Sequence, residues 1–197
     1  MDKFQNKYRI PSARAEWHGY DGGTYFVTIC MAGKEHMFGE VVNARMMLSC
    51  IGRMAYENIA DVSTHYPYAE IPLFVVMPNH IHAIVIINGD KTPYDRKNPI
   101  APIIETRHAT SLRRTSSEQI KESMKRVAYM QGWLSVVIGG LESAITKYAR
   151  QNGIPFAWQA RFHDRIIRCQ DEMNRIADYI ENNVYNWDTD ELNEQYI

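Results

Sequence analysis

The chain has 197 residues, of which 45% are hydrophobic and 23% are charged, with 11 glycines and 8 prolines. This composition is typical of one folded globular domain and excludes collagen-like, low-complexity and wholly disordered chains. The longest apolar run, residues 81–87 with an interruption at His82, is far shorter than the roughly 20 residues that span a bilayer, and the first residues lack a signal core. We therefore expect a single domain over residues 1–197, located in the cytoplasm.

Charge is unevenly distributed along the chain, although the net charge is only −1. Residues 171–197 hold eight acidic residues and one arginine, a net of −7, which leaves +6 for residues 1–170. A body of that sign can bind phosphate groups. The three cysteines are far apart and lack a CxxC spacing, so the sequence predicts neither a disulfide framework nor a zinc knuckle.

The first half of the chain predicts strands and one helix. Residues 24–30 and 39–48 contain β-branched, aromatic and other apolar side chains and are expected to form strands. A helical periodicity then runs from an N-cap at Ser49 to about residue 65. Two apolar, β-branched runs, 71–77 and 80–87, are separated only by a Pro-Asn pair, which predicts two tightly joined central strands.

The second half begins with residues 89–131, which hold nine Lys/Arg against five Asp/Glu and show little apolar periodicity. We interpret this segment as a mobile basic insertion. A helix is predicted from residue 134 to an end at Asn152-Gly153, a loop and a short extended segment over 158–168, and a last helix from Asp171. The order of elements predicts an α+β fold. It is a ferredoxin-like (RRM-like) antiparallel sheet with helices on one face, plus a C-terminal helix.

His80 and His82 are two residues apart on a predicted strand. Side chains at that spacing point to the same face, so both imidazoles can converge on one ion or one phosphate. Ile81 then faces the opposite layer, where an apolar residue belongs. An unliganded surface pair of histidines is the alternative interpretation.

Residues 76–85, with the core Met-Pro-Asn-His-Ile-His, resemble the signature strand of HUH endonucleases. More narrowly, they are similar to the single-tyrosine transposases of IS-two-hundred-like insertion sequences and to the REP-associated tyrosine transposases. Further stretches agree with these families in order and spacing, at residues 25–28, 140–143, 158–168 and 175–180. The resemblance implies DNA transposition, in which single-stranded DNA is cleaved and transferred through a 5′-phosphotyrosine with a free 3′-OH.

The resemblance also implies roles for individual residues. Tyr179 would be the nucleophile, and His80, His82 and Asn183 would bind a divalent metal, Mg²⁺ or Mn²⁺. On the last helix Tyr179 lies about 120° from the centre of the apolar stripe, and Asn183 follows on the same flank. Relatives usually have proline after that asparagine, where this chain has valine, and Glu172 is an alternative oxygen donor. A boundary tyrosine that covers the rim of the core is the alternative for Tyr179.

Three arginines, Arg161, Arg165 and Arg168, lie just before the last helix and could follow a phosphate backbone. A solvated edge is the alternative for each. The expected partner is single-stranded DNA, by resemblance a hairpin or repeat end, bound by a monomer or homodimer without membrane contact. Two other functions stay open: a catalytically silent or domesticated protein that binds DNA hairpins or, RRM-like, RNA, and a metal-dependent phosphodiesterase that uses water.

Overall fold

A computed structural model of the chain describes residues 22–92 and 132–193. Most of the predicted insertion, residues 93–131, lies outside the described residues. The strands in chain order are β1 (Gly23–Cys30), β2 (Gly39–Val42), β3 (Arg45–Leu48), β4 (Ala69–Val76), β5 (His80–Ile87) and β6 (His163–Ile166). The helices are α1 (Cys50–Ala60), α2 (Val62–His65), α3 (Trp133–Gln151) and α4 (Gln170–Asn182).

Four strands form one antiparallel sheet in the order β4-β5-β1-β6. β4 and β5 are joined by the short turn at Pro78-Asn79, whereas α1 and α3 each connect two strands of this sheet. The four strands and their two connecting helices follow the β-α-β-β-α-β order of a ferredoxin-like domain. The predicted α+β fold class is confirmed.

The two faces of this sheet carry different side chains. Along β1, Tyr25 and Val27 are buried in one hydrophobic cluster with residues of α1 and α3, together with Ile81 of β5. We call this side the core face. Because side chains alternate along a strand, the opposite side carries Phe26 and Thr28 of β1 and the two histidines of β5. We call it the site face.

The second, smaller sheet corrects one sequence-based prediction. Residues 39–48 form not one strand but the hairpin of β2 and β3. Its two-residue turn consists of Asn43 and Ala44, with φ of 52° and 55°. Positive φ at both positions is the requirement of a tight hairpin turn. Asn-Gly is the usual sequence there. Because Ala44 stands in place of the glycine, the sequence did not indicate a turn.

The helix predicted from Ser49 also proves to be two helices, because the chain leaves helical geometry at Asp61, with φ −100° and ψ 17°. α4 packs against β4 and β5 on the site face, while α1 and α3 lie against the core face. In the part of the chain that the structure describes, no helix is both long and apolar enough to cross a membrane.

Candidate active site

His80 and His82 lie on the site face at the beginning of β5. Both side chains are buried, with 0% and 3% of their surface exposed. Their ring centroids are 4.4 Å apart and the ring planes are inclined at 66°. Strand geometry therefore brings two imidazoles into contact at a place with little access to water.

Asn79 determines the tautomer of His80. Its amide nitrogen donates hydrogen bonds to the backbone oxygens of Leu192 at 2.8 Å and Lys34 at 3.3 Å. Its Oδ1 is therefore left to accept a hydrogen bond from His80 Nδ1, at 2.7 Å. His80 Nε2 then carries a lone pair, and this buried atom has no hydrogen-bond partner within residues 22–92 and 132–193.

Both ring nitrogens of His82 are hydrogen-bonded. Nδ1 lies 2.8 Å from the hydroxyl of Thr28, which is directly opposite on β1. Nε2 lies 3.1 Å from the phenol oxygen of Tyr179 on α4. Phe26 stacks on the ring of His82 with centroids 5.2 Å apart and planes inclined at 29°. These contacts fix the orientation of the imidazole.

α4 places Tyr179 beside the histidines. Its neighbour Ile180 is buried and anchors the helix, whereas Tyr179 remains 45% exposed. The phenol ring contacts His82 with centroids 5.1 Å apart, and it meets Phe26 edge-on at 6.1 Å. The hydroxyl is thus oriented by the site, and the side chain is open to a large ligand.

Asn183 caps α4 one turn after Tyr179 and is almost fully buried. Its Nδ2 donates to Asp190 Oδ2 at 3.1 Å. Its Oδ1 is buried and has no hydrogen-bond partner among the described residues. The Asn183 side chain is near enough to His80 and Tyr179 to raise the pKa of His80 and to lower the pKa of Tyr179. Two buried acceptors, His80 Nε2 and Asn183 Oδ1, therefore lie close together without a donor.

Burial controls the electrostatics of the site. It lowers the pKa of His80 to about 3, and the interaction with Asn183 opposes this shift only in part. The pKa of His82 is also lowered to about 3, by burial and then by His80, against an opposing effect of Asp190. Both imidazoles are therefore neutral near pH 7. Burial, followed by Asp190, raises the pKa of Tyr179, so its phenol needs a positive charge nearby to ionise.

The donor set of this site is two imidazoles and one amide oxygen. The described residues contain no group of three or more His, Cys, Asp and Glu that could hold a metal ion. Neutral imidazoles and amide oxygens are nevertheless ordinary ligands of divalent cations. The unpaired atoms of His80 and Asn183 are the ones that a cation would take.

Glu172 does not have a free oxygen for a metal. Its Oε1 pairs with Arg165 Nη2 at 2.6 Å, and its Oε2 accepts the backbone N–H of Arg168 at 3.0 Å. The alternative that Glu172 replaces Asn183 as oxygen donor is therefore not favoured by the structure. The carboxylate instead ties the end of β6 to the beginning of α4.

The three arginines are exposed, but they differ in position. Arg165 lies opposite Phe26 in the pairing of β6 with β1, so it projects from the site face. Arg168 lies between β6 and α4, and Arg161 precedes β6 with a φ of 72°. Strand register thus places only Arg165 on the face that carries the histidines and Tyr179.

Four residues of the site were not predicted from the sequence, and one of them is Phe26, which stacks on His82. Thr28 could have been found from β1, had the register with β5 been known. Asn79 was part of the quoted motif, but its role as a hydrogen-bond partner depends on Leu192, 113 residues away. Asp190 belongs to the acidic C-terminal segment, where a single carboxylate gives no sequence signal.

Comparison with known proteins gives distant similarities. No protein-family model matches the chain. An uncharacterized protein of Haemophilus influenzae is 28% identical over 184 residues, which cover 92% of this chain and 91% of that protein. Among solved structures, a REP-associated tyrosine transposase bound to a REP hairpin matches with a TM-score of 0.46 and 19% identity, over 88% of this chain and 74% of that chain. A candidate transposase from Deinococcus radiodurans matches with a TM-score of 0.35 and 11% identity, over 86% and 95% of the two chains.

Proposed function

We propose that the protein is a metal-dependent DNA nickase and strand transferase of the transposase type, which uses Tyr179 as its nucleophile. The observation that carries this proposal is the contact of the Tyr179 hydroxyl with His82 Nε2 at 3.1 Å. A half-exposed phenol beside two buried, neutral imidazoles and an amide is suited to attack on an activated phosphodiester. The sequence resemblance to single-tyrosine transposases points to the same residues.

The metal would be held by His80, His82 and Asn183. The fit is supported by two buried atoms that lack hydrogen-bond partners among the described residues, His80 Nε2 and Asn183 Oδ1. When bound, Mg²⁺ or Mn²⁺ would supply positive charge to the scissile phosphate and lower the cost of ionising a nearby phenol. His82 Nε2 is hydrogen-bonded to the Tyr179 hydroxyl. This hydrogen bond would have to break before His82 Nε2 could bind the metal.

The chemical step would be a transesterification, in which one ester bond to phosphorus forms as another breaks. Tyr179 loses its proton, its phenol oxygen bonds to phosphorus, and the bond from phosphorus to the 3′ oxygen breaks. The leaving oxygen takes up a proton, which gives a 5′-phosphotyrosine and a free 3′-OH. Attack by another 3′-OH reverses the step and joins the strands, so transfer needs no external energy source.

The substrate would be single-stranded DNA, with hairpin or repeat ends expected from the sequence resemblance. Phe26 is half-buried on the site face and offers an aromatic edge beside Tyr179. Arg165 adjoins it, and its guanidinium, although paired with Glu172, is exposed to solvent and can contact a phosphate. An aromatic ring with a neighbouring cation suits an unpaired strand, because bases can stack while the phosphates are neutralised.

The test is cleavage of end-labelled single-stranded hairpins, taken from the flanks of the protein's own gene, with Mn²⁺ or Mg²⁺. We expect a covalent protein–DNA adduct on a denaturing gel. Tyr179→Phe should abolish the adduct and slow cleavage by at least ~10³-fold, because only the hydroxyl is removed and the ring packing is kept. Tyr185→Phe is the matched control, since Tyr185 is 77% exposed in the turn that follows the same helix.

Two outcomes contradict the proposal. Cleavage by Tyr179→Phe at the wild-type rate would assign the nucleophile to water and the protein to the phosphodiesterases. Hairpin binding by wild-type protein without any cleavage or adduct would identify a catalytically silent DNA-binding protein.

A further inference from the structure

We propose that Asp190 is a positioning residue that decides which atom of the Asn183 amide faces His80. The inference rests on the proposed function, because it concerns the same metal site. Asp190 lies directly after a short turn of 3₁₀-helix, Trp187–Thr189, in the acidic C-terminal segment. Neither the histidine motif nor the tyrosine helix contains it.

Asp190 uses its two carboxylate oxygens for different purposes. Oδ1 accepts the backbone N–H of Leu192 at 2.7 Å and closes a local turn. Oδ2 accepts Asn183 Nδ2 at 3.1 Å. An ionised carboxylate only accepts hydrogen bonds, so it attracts the nitrogen of the amide and repels its oxygen. Asn183 Oδ1 is thereby directed away from Asp190.

The orientation of the Asn183 amide decides which of its atoms faces His80. Asn183 interacts with His80, whose Nδ1 already donates to Asn79. His80 therefore presents the lone pair of Nε2, and Asn183 presents Oδ1, both buried without a donor among the described residues. A flipped amide would donate from Nδ2 to His80 Nε2 and satisfy that nitrogen. Asp190 prevents the flip and keeps two acceptors available to a cation.

The two supporting hydrogen-bond chains end at one residue, Leu192. Asn79, which fixes the His80 tautomer, donates to the Leu192 backbone oxygen, and Asp190 accepts from the Leu192 N–H. The C-terminal segment thus orients one imidazole and one amide from a single residue. A segment that only covered the site would not need to select the acceptor atom on each ligand.

The test is Asp190→Asn in the full-length protein. The new Oδ1 can still accept the Leu192 N–H, whereas the new amide nitrogen faces Asn183 Nδ2 and forces that amide to flip. We expect the affinity for Mn²⁺, measured by titration calorimetry without DNA, to fall at least tenfold. The melting temperature of the metal-free variant should stay equal or rise, because the flipped amide satisfies His80 Nε2.

A spectroscopic signal separates orientation from charge. In the metal-free variant, the ¹⁵N resonance of His80 Nε2 should move upfield as it accepts a hydrogen bond. Asp188→Asn is the matched control, since it removes the same charge from an exposed position in the same turn. Its affinity should stay within about twofold of wild type and its His80 resonance should not move. If Asp190→Asn fails to fold, Asp190→Ser keeps an acceptor for Leu192 and should also weaken Mn²⁺ binding.

Two results would overturn the inference: unchanged Mn²⁺ affinity in a folded variant, or reduced affinity with an unmoved His80 resonance, which would reveal a role of charge alone. If the wild-type protein binds Mn²⁺ no better than His80→Ala does, the proposed metal site is wrong. The His80 resonance then decides on the orienting role of Asp190 independently.

Discussion

His80 and His82 have the same side chain and lie two positions apart, yet their ring nitrogens have different partners. His80 Nδ1 donates to an amide oxygen that can only accept, so its tautomer is fixed. His82 bonds to two hydroxyls, from Thr28 and Tyr179, and each hydroxyl can donate or accept. The tautomer of His82 can therefore change with the protonation state of Tyr179, whereas the tautomer of His80 stays the same.

The charge of Glu172 is coupled to folding where β6 meets α4. Its pKa lies below the ordinary value of 4.5, chiefly because the Arg168 backbone N–H donates to the carboxylate. Burial opposes this shift, and the charge of Arg165 supports it. The folded state thus favours the ionised form more than the unfolded state does. The resulting stability is present above the unfolded pKa and is lost as pH falls through the folded pKa.

Glu172→Gln should therefore lower the free energy of unfolding at pH 7. The difference from wild type should shrink as pH falls below about 4.5, since protonated Glu172 then resembles glutamine. Urea denaturation at several pH values measures it. Asp171→Asn, an exposed neighbour in the same first turn, is the control and should show a smaller effect. A constant difference across the whole pH range would show that the ion pair is not what stabilises this joint.

At the scale of elements, the sequence predicted what depends on local pattern. β1, β5 and α3 were found within one or two residues, because each has a continuous apolar signal. The β2–β3 turn was missed, since alanine stands where glycine would mark it. The same holds for the site. The His-x-His spacing is a local pattern, whereas the contact of His82 with Tyr179 joins residues 97 positions apart and follows from packing alone.

The β2–β3 turn provides a test of backbone strain. Ala44 has a φ of 55°, a left-handed conformation that costs a residue with a Cβ about 1–2 kcal/mol. Ala44→Gly removes this cost but adds roughly 0.5–1 kcal/mol of unfolded-state entropy. We expect a net gain of about 0.5–1 kcal/mol in the free energy of unfolding. Ala60→Gly, at the exposed end of α1, should lose a similar amount. Destabilisation by both changes would argue against a strained turn.

At the scale of the whole molecule, the sheet separates the hydrophobic core on one face from the candidate site on the other. The core face packs on α1 and α3, so the hydrophobic core is complete without the site face. On the site face, α4 packs mainly against β4 and β5. The β1–β6 half is left more open: half-buried Phe26 contacts Tyr179, and exposed Arg165 lies opposite Phe26 on β6. A strand of nucleic acid that reached Tyr179 would run along this open half.

Charge on that half should control DNA binding. Each contact between a cation and a phosphate of single-stranded DNA releases counterions and contributes about 0.7 to the slope of log affinity against log salt. Arg165→Gln should therefore lower the slope by up to about 0.7 and weaken binding at low salt. Arg53→Gln removes the same charge from an exposed position on α1, behind the core face, and should leave the slope nearly unchanged. Fluorescence anisotropy with a labelled single strand between about 50 and 200 mM salt measures both.

Because Arg165 also pairs with Glu172, thermal melting must show that its variant remains folded. Equal slopes for the two variants would mean that DNA follows the overall charge of the body and not the site face.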